Sequence, residues 1–156
     1  MPHAVLFVCL GNICRSPLAE GVFRDIVQEA GLADSFVIDS AGTGAWHIGN
    51  PPDPRSIEIA ARHEVDISAQ RARQVRADDF RRFDTIVAMD RDNLATLKRM
   101  GGASSPRLRL LLNRPPQDVP DPYYGGPDGF ADVFDLCDES CRALLQNIIE
   151  NHGLGV

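Results

Sequence analysis

The chain has no apolar stretch long enough to cross a bilayer, and its first residues lack the basic region and cleavage site of a secretory signal. These absences exclude a helical membrane protein and lead us to expect a cytoplasmic one with no membrane partner. Basic residues are in deficit: 16 Lys and Arg stand against 22 Asp and Glu, a net charge of -6. A nucleic-acid binder would carry a basic face, so nucleic acid is not an expected partner. A small anionic ligand is still allowed, because a local cradle can be positive on an acidic protein. Cysteines are few (Cys9, Cys14, Cys137 and Cys141), with no Cys-x-x-Cys pair and no nearby His pair. That excludes a zinc site and a disulfide frame in a reducing compartment; four free thiols and no metal are expected. The Gly-x4-Gly-Lys-Ser/Thr pattern of nucleotide P-loops is missing, as are repeats, low-complexity runs and interdomain linkers.

At 156 residues, with 44% apolar and 24% charged side chains, the chain reads as one soluble domain spanning 1–156, with monomer as the default state. Short apolar runs at 4–8, 35–39, 84–88 and 108–112 read as strands. Helical spacing appears between them. Ser16 is a suitable N-cap with Pro17 in the first turn; Leu18, Val22, Phe23, Ile26, Val27 and Ala30 follow, and Gly31 closes the helix. Asp53-Pro54 opens a second helix, Leu94, Leu97 and Met100 mark a third, and Val133 to Ile148 form the last, with Cys137 and Cys141 on its core side. This alternation predicts an α/β three-layer sandwich: a four-stranded parallel sheet, order 2-1-3-4, with helices on both faces. Two long loops, 42–52 and 113–129, stand out; the first holds the only tryptophan.

In such sheets ligands bind beyond the carboxyl ends of the strands. There the first strand delivers Cys9-Leu10-Gly11-Asn12-Ile13-Cys14-Arg15-Ser16-Pro17. A thiol attacks well only once ionised, its free pKa being about 8.5. At Cys9 the dipole of the following helix, converging amide N–H groups and the Arg15 charge all favour the thiolate, and Ser16 can add a hydrogen bond. Gly11 lets the loop turn, and Asn12 tolerates a left-handed backbone. The amides of Leu10, Gly11, Asn12, Ile13, Cys14 and Arg15 form a cradle for a phosphate dianion, with the planar Arg15 fork gripping two oxygens. Such donors also stabilise a phosphoryl group in transfer. Cleavage needs in addition a carboxyl group to protonate the leaving oxygen. Asp121, held between Pro120 and Pro122 and followed by Tyr123 and Tyr124, is the candidate; on local sequence alone it is equally a turn residue.

The stretch Val8 to Pro17 resembles the signature of the low-molecular-weight protein tyrosine phosphatases. Asp39-Ser40-Ala41-Gly42-Thr43, Gly49-Asn50-Pro51, Met89-Asp90 and Asp121-Pro122-Tyr123-Tyr124-Gly125 are further matches, in order along nearly the whole chain. The resemblance implies a metal-independent, cofactor-free hydrolase. It acts on phosphotyrosine, borne on a protein or as a small aryl phosphate, through a phosphocysteine on Cys9. It assigns the general acid to Asp121. It also implies that Ser40 braces the phosphate loop through Asn12, that Trp46, Tyr123 and Tyr124 wall the substrate slot, and that Cys14 can pair with an oxidised Cys9. His47 reads as a surface residue, and Asp90 as a helix cap ahead of a brace for the loop. Gln70 stands where the family often has a histidine, and Gly129 where it often has aspartate, suggesting a looser loop after Tyr124. An arsenate reductase on the same scaffold is the nearest alternative, but it needs a cysteine relay and none lies between Cys14 and Cys137. A phosphate-binding module without turnover is the other; retention of Cys9, Arg15 and Asp121 together opposes it.

Overall fold

The structure is a computed structural model and describes residues 2–101, 107–113, 115–123, 125 and 127–152. Four strands, β1 (His3–Cys9), β2 (Phe36–Gly42), β3 (Thr85–Ala88) and β4 (Arg107–Leu110), form one sheet. All its pairings are parallel and the order is β2-β1-β3-β4, as the alternation of elements predicts. Helices α1 (Arg15–Glu29), α2 (Pro54–Arg62), α3 (Asp79–Arg82), α4 (Arg91–Gly101) and α5 (Pro127–His152) surround it. A two-residue hairpin, β5 (Leu112–Asn113) with β6 (Pro116–Gln117), sits beyond β4.

The side-chain period of two in a strand sorts β1 into two cores. Val5, Phe7 and Cys9 face α1, α2 and α5; Ala4, Leu6 and Val8 face the other way, toward Phe80, Phe83 and Leu97. Every residue of β1 is buried, which explains why it reads as an unbroken apolar run instead of an alternating one. Because the same alternation that buries Phe7 also brings Cys9 to the α1 side, the sheet and not the loop decides which face the sulfur occupies.

Several boundaries depart from the sequence reading. The fourth strand ends at Leu110, two residues early, because Leu111 bends toward the core and the chain turns into the hairpin. The short helix α3 was not anticipated; four residues are too few for a periodic signal. Asp53 caps α2 as expected, accepting from Arg55 N–H, with Pro54 at the first helical position. Ser16, by contrast, is not the cap of α1. The helix starts at Arg15, two residues earlier than a Ser16 cap would set it; Cys14 occupies the cap position without a side-chain hydrogen bond, and Ser16 lies inside the first turn. Gly129 belongs to the first turn of α5, not to a loose loop, and a Cβ there would lie 3.5 Å from the Pro122 ring.

Candidate active site

The loop between β1 and α1 is shaped by where its carbonyls go. Cys9 O accepts from Thr43 N–H at 2.9 Å, Leu10 O from Gly44 N–H at 2.9 Å, and Ile13 O from Asp53 N–H at 2.8 Å. Cys14 O accepts from Leu18 N–H at 3.4 Å. Across a trans peptide the next residue's N–H points opposite to the carbonyl. Tying these carbonyls outward therefore turns the N–H groups of Leu10, Gly11, Cys14 and Arg15 inward. Asn12 N–H completes the ring, 3.3 Å from Cys9 Sγ. The uncapped start of α1 follows the same logic: a capping side chain would fill the donors an anion is to use. Gly42 is required opposite the loop, since a Cβ there would stand 2.8 Å from Leu10 O.

Asn12 takes a left-handed φ of 56°, as the sequence reading allows. Its side chain fixes the polarity of a buried chain of hydrogen bonds. Arg73 N–H can only donate, so the atom it meets at 3.0 Å is Asn12 Oδ1. The amide Nδ2 then donates to Ser16 Oγ at 2.8 Å and to Ser40 Oγ at 2.9 Å. Ser16 Oγ, which accepts from Asn12, also lies 3.0 Å from Cys9 Sγ, so its hydrogen is within reach of an ionised sulfur. Ser40 in turn donates to Glu20 Oε1 at 2.7 Å, and Arg24 donates to Glu20 Oε2 at 2.8 Å. Ser16 Oγ thus stands against the sulfur, and Ser40 Oγ against the Asn12 amide.

Arg15 is 3% exposed. Its Nη1 donates to Asp90 Oδ2 at 2.6 Å and to Val119 O at 3.0 Å, and its Nη2 lies 3.7 Å from Asp121 Oδ2. Burial opposes the guanidinium charge, but Cys9, Asp90 and Asp121 overrule it and hold the group more firmly protonated than usual. Asp90 both braces and caps: its second oxygen accepts Asn93 N–H at 2.7 Å. Asp121 Oδ1 accepts Tyr123 N–H at 3.0 Å, an Asx turn that leaves Oδ2 toward Arg15.

These groups line one pocket of about 440 Å³, walled by Cys9, Leu10, Gly11, Ile13, Cys14, Arg15, Trp46, His47, Asp121 and Tyr123. Of the residues named from sequence, all of these except His47 were proposed for the site. Tyr124 lies outside the described residues. Asn12, Ser16 and Ser40 stand behind the pocket as support. Trp46 is 72% exposed at the rim, so it is not a core tryptophan. His47 is on the wall, its ring 3.0 Å from where a Gly11 Cβ would be, and not simply on the surface. The other cysteines are poor nucleophiles. Burial, then the negative charges of Asp53, Cys9 and Asp121, push Cys14 up to about 12. Burial pushes Cys137 to about 12 and raises Cys141 as well, both within the core against α1. Gln70 Nε2 donates to Pro17 O at 3.2 Å and does not reach Asn12 or Ser40 by any hydrogen bond found among the described residues.

Sequence reasoning missed Glu20, Arg73, Asp79, Asp53 and Arg55 as parts of this arrangement. None lies in the loop motif, and their pairing is visible only once the chain folds. Arg73 forks onto buried Asp79 at 2.9 and 3.1 Å and reaches Asp39 at 3.1 Å, which locks the backbone N–H that Asn12 uses. Burial alone would raise the Asp79 carboxyl, but Arg73 and the Arg76 N–H hold it below its usual range; Arg55 does the same for Asp53. A carboxyl lowered on folding contributes stability that is complete above its unfolded pKa of about 4 and is lost as pH falls through the folded value. Glu20, raised mainly by burial, has the opposite sign and loses its contribution as pH rises through its folded value. The urea midpoint is therefore expected to drop as pH falls below about 4. Asp79→Asn is expected to start from a lower midpoint and to fall less steeply over the same interval.

Comparison with known proteins agrees with this geometry. The family profile "Low molecular weight phosphotyrosine protein phosphatase" matches residues 4–153. The chain is 48% identical over 150 residues to the Schizosaccharomyces pombe protein of that name, covering 92% of this chain and 96% of the relative. It is 42% identical over 151 residues to the Sus scrofa protein of the same name, covering 93% and 95%. The crystal structure of YfkJ from Bacillus subtilis superposes with a TM-score of 0.91 at 42% identity, over 97% of this chain and 98% of that one. A cysteine ringed by inward amides, an arginine fork and an Asp-Pro-Tyr loop converge on one pocket within that shared fold, and the chain belongs to the low molecular weight phosphotyrosine protein phosphatases, enzymes that hydrolyse phosphotyrosine.

Proposed function

We propose that Cys9 is the nucleophile, Arg15 and the loop amides the phosphate cradle, and Asp121 the general acid and base. The phosphoryl group seats its three equatorial oxygens on the inward N–H groups and the Arg15 fork. The Cys9 thiolate attacks phosphorus opposite the leaving oxygen; the S–P bond forms as the P–O bond breaks, and Asp121 gives its proton to the departing phenol. Asp121, now ionised, takes a proton from water, whose oxygen attacks phosphorus and breaks the S–P bond, freeing phosphate and the thiolate. The observation that carries this reading is the setting of Cys9 Sγ, which accepts from the Asn12 N–H at 3.3 Å and has Ser16 Oγ 3.0 Å away, with Asn12 and Ser16 joined to each other and to the Arg73 N–H by hydrogen bonds.

The apolar walls, Trp46, Ile13 and Tyr123, fit a flat aromatic ring, so phosphotyrosine on a protein or a small aryl phosphate is the substrate class. A monomeric cytoplasmic enzyme is the reading for the whole chain; among the described residues no helix is long and apolar enough to cross a membrane. Hydrolysis of p-nitrophenyl phosphate and of a phosphotyrosyl peptide at mildly acid pH, with EDTA present, tests the reading. Full activity in EDTA is expected, and loss of activity on chelation would show that a metal ion does part of the chemistry.

A further inference from the structure

Arg55 lies outside the phosphate loop and the acid loop, yet touches the supports of both. Its Nε and Nη2 fork onto the two oxygens of Asp53 at 3.0 and 2.9 Å. Asp53 is buried, caps α2, and donates its own N–H to Ile13 O of the phosphate loop at 2.8 Å. The Arg55 guanidinium carbon then sits 4.5 Å from the centre of the Phe130 ring and 5.4 Å from the centre of the Tyr123 ring. Phe130 is buried in the first turn of α5. Tyr123 is partly exposed and carries the N–H that holds Asp121 Oδ1. Both distances are within cation–π range, so the planar cation ties a rim tyrosine to a buried core ring.

We infer that Arg55 is a positioning residue for proton donation: gripped by Asp53 and seated on Phe130, it holds Tyr123, and through the Tyr123 N–H it sets the Asp121 carboxyl over the leaving oxygen. The inference rests on Asp121 being the general acid. Two features of the geometry distinguish this role from substrate recognition. The fork is already committed to Asp53, so it is not offered to an anionic group on the substrate. The stacking is to Tyr123, whose N–H holds the acid.

The test is a leaving-group series. kcat/KM is measured for phenyl phosphate, p-nitrophenyl phosphate and 2,4-dinitrophenyl phosphate with the wild type, Arg55→Ala, Asp121→Asn and the double variant. The inhibition constant of inorganic phosphate reports on the cradle. A sub-ångström displacement of the acid costs about tenfold on phenyl phosphate, which needs the proton most. The dinitrophenyl ester, whose phenolate leaves unaided, is expected to lose about twofold or less. The phosphate inhibition constant is expected to stay unchanged. In the Asp121→Asn background, Arg55→Ala is expected to add nothing on phenyl phosphate, because both changes remove the same proton transfer. A loss equal across the three phenols, additive losses in the double variant, or weakened phosphate inhibition would each overturn the role of Arg55. If Asp121→Asn itself shows no dependence on the leaving group, the assignment of the acid fails instead, and that result is separate from the behaviour of Arg55. Should Arg55→Ala fold poorly, Arg55→Lys, which keeps a cation near Asp53 but loses the planar stack, gives the same reading.

Discussion

Cys9→Ser is expected to lose turnover on the order of 10⁵- to 10⁶-fold while still binding inorganic phosphate, the scale of removing the nucleophile from a preorganised hydrolase site. The hydroxyl is isosteric enough to keep the loop closed, but it is barely ionised and far less nucleophilic than a thiolate. The cradle does not depend on the sulfur for its shape. Its carbonyls are tied outward to Thr43, Gly44 and Asp53, and Arg15 is held by Asp90 and Val119. Steady-state hydrolysis of p-nitrophenyl phosphate together with calorimetric titration of phosphate separates the two functions. Activity within tenfold of wild type would rule out the sulfur as the attacking atom. Loss of phosphate binding along with activity would mean the sulfur is structural.

Asp121→Asn is the second large effect. The amide oxygen can still accept the Tyr123 N–H, so the Asx turn that now shows 3.0 Å survives and only the transferable proton is lost. Phenyl phosphate is expected to slow by about 10³-fold, within the range for removing a general acid. Esters of acidic phenols are expected to slow least in kcat/KM, since their leaving oxygens need no proton. Release of phosphate from the phosphocysteine also needs the carboxylate, so a burst of p-nitrophenol followed by slow turnover is expected in rapid-mixing experiments. Uniform slowing across leaving groups, with no burst, would place Asp121 outside the proton path.

The sulfur's neighbours differ in how plainly the sequence announces them. Cys9, Arg15 and the Gly-Asn turn lie within seven consecutive residues, and their chemistry depends on local spacing: a strand end, a tight loop and a helix start. Pro120-Asp121-Pro122 is stiff enough to be noticed, but nothing local says that it returns to the loop 106 positions upstream; only resemblance to a family supplied that. Ser16 was legible as a polar residue at a helix start and was misread as the cap, because a cap and an inward donor share one residue type. The difference lies in the backbone: the helix starts at Arg15, two residues earlier than a Ser16 cap would allow, so that its first amides stay open.

By itself the sequence determined the parallel sheet, its strand order and the composition of the phosphate loop. Unbroken apolar runs, alternating helical periods and a Cys-to-Arg loop are properties of neighbours along the chain. Only the tertiary structure decided what holds that loop. Arg73 and Asp79, Ser40 above Glu20, and Arg55 between Asp53, Tyr123 and Phe130 lie well away from it in sequence. The pairing of a buried charge with its partner is settled by which elements pack together. A single arginine or glutamate in the chain looks like any solvated charge until folding removes its water and forces it to find a particular neighbour.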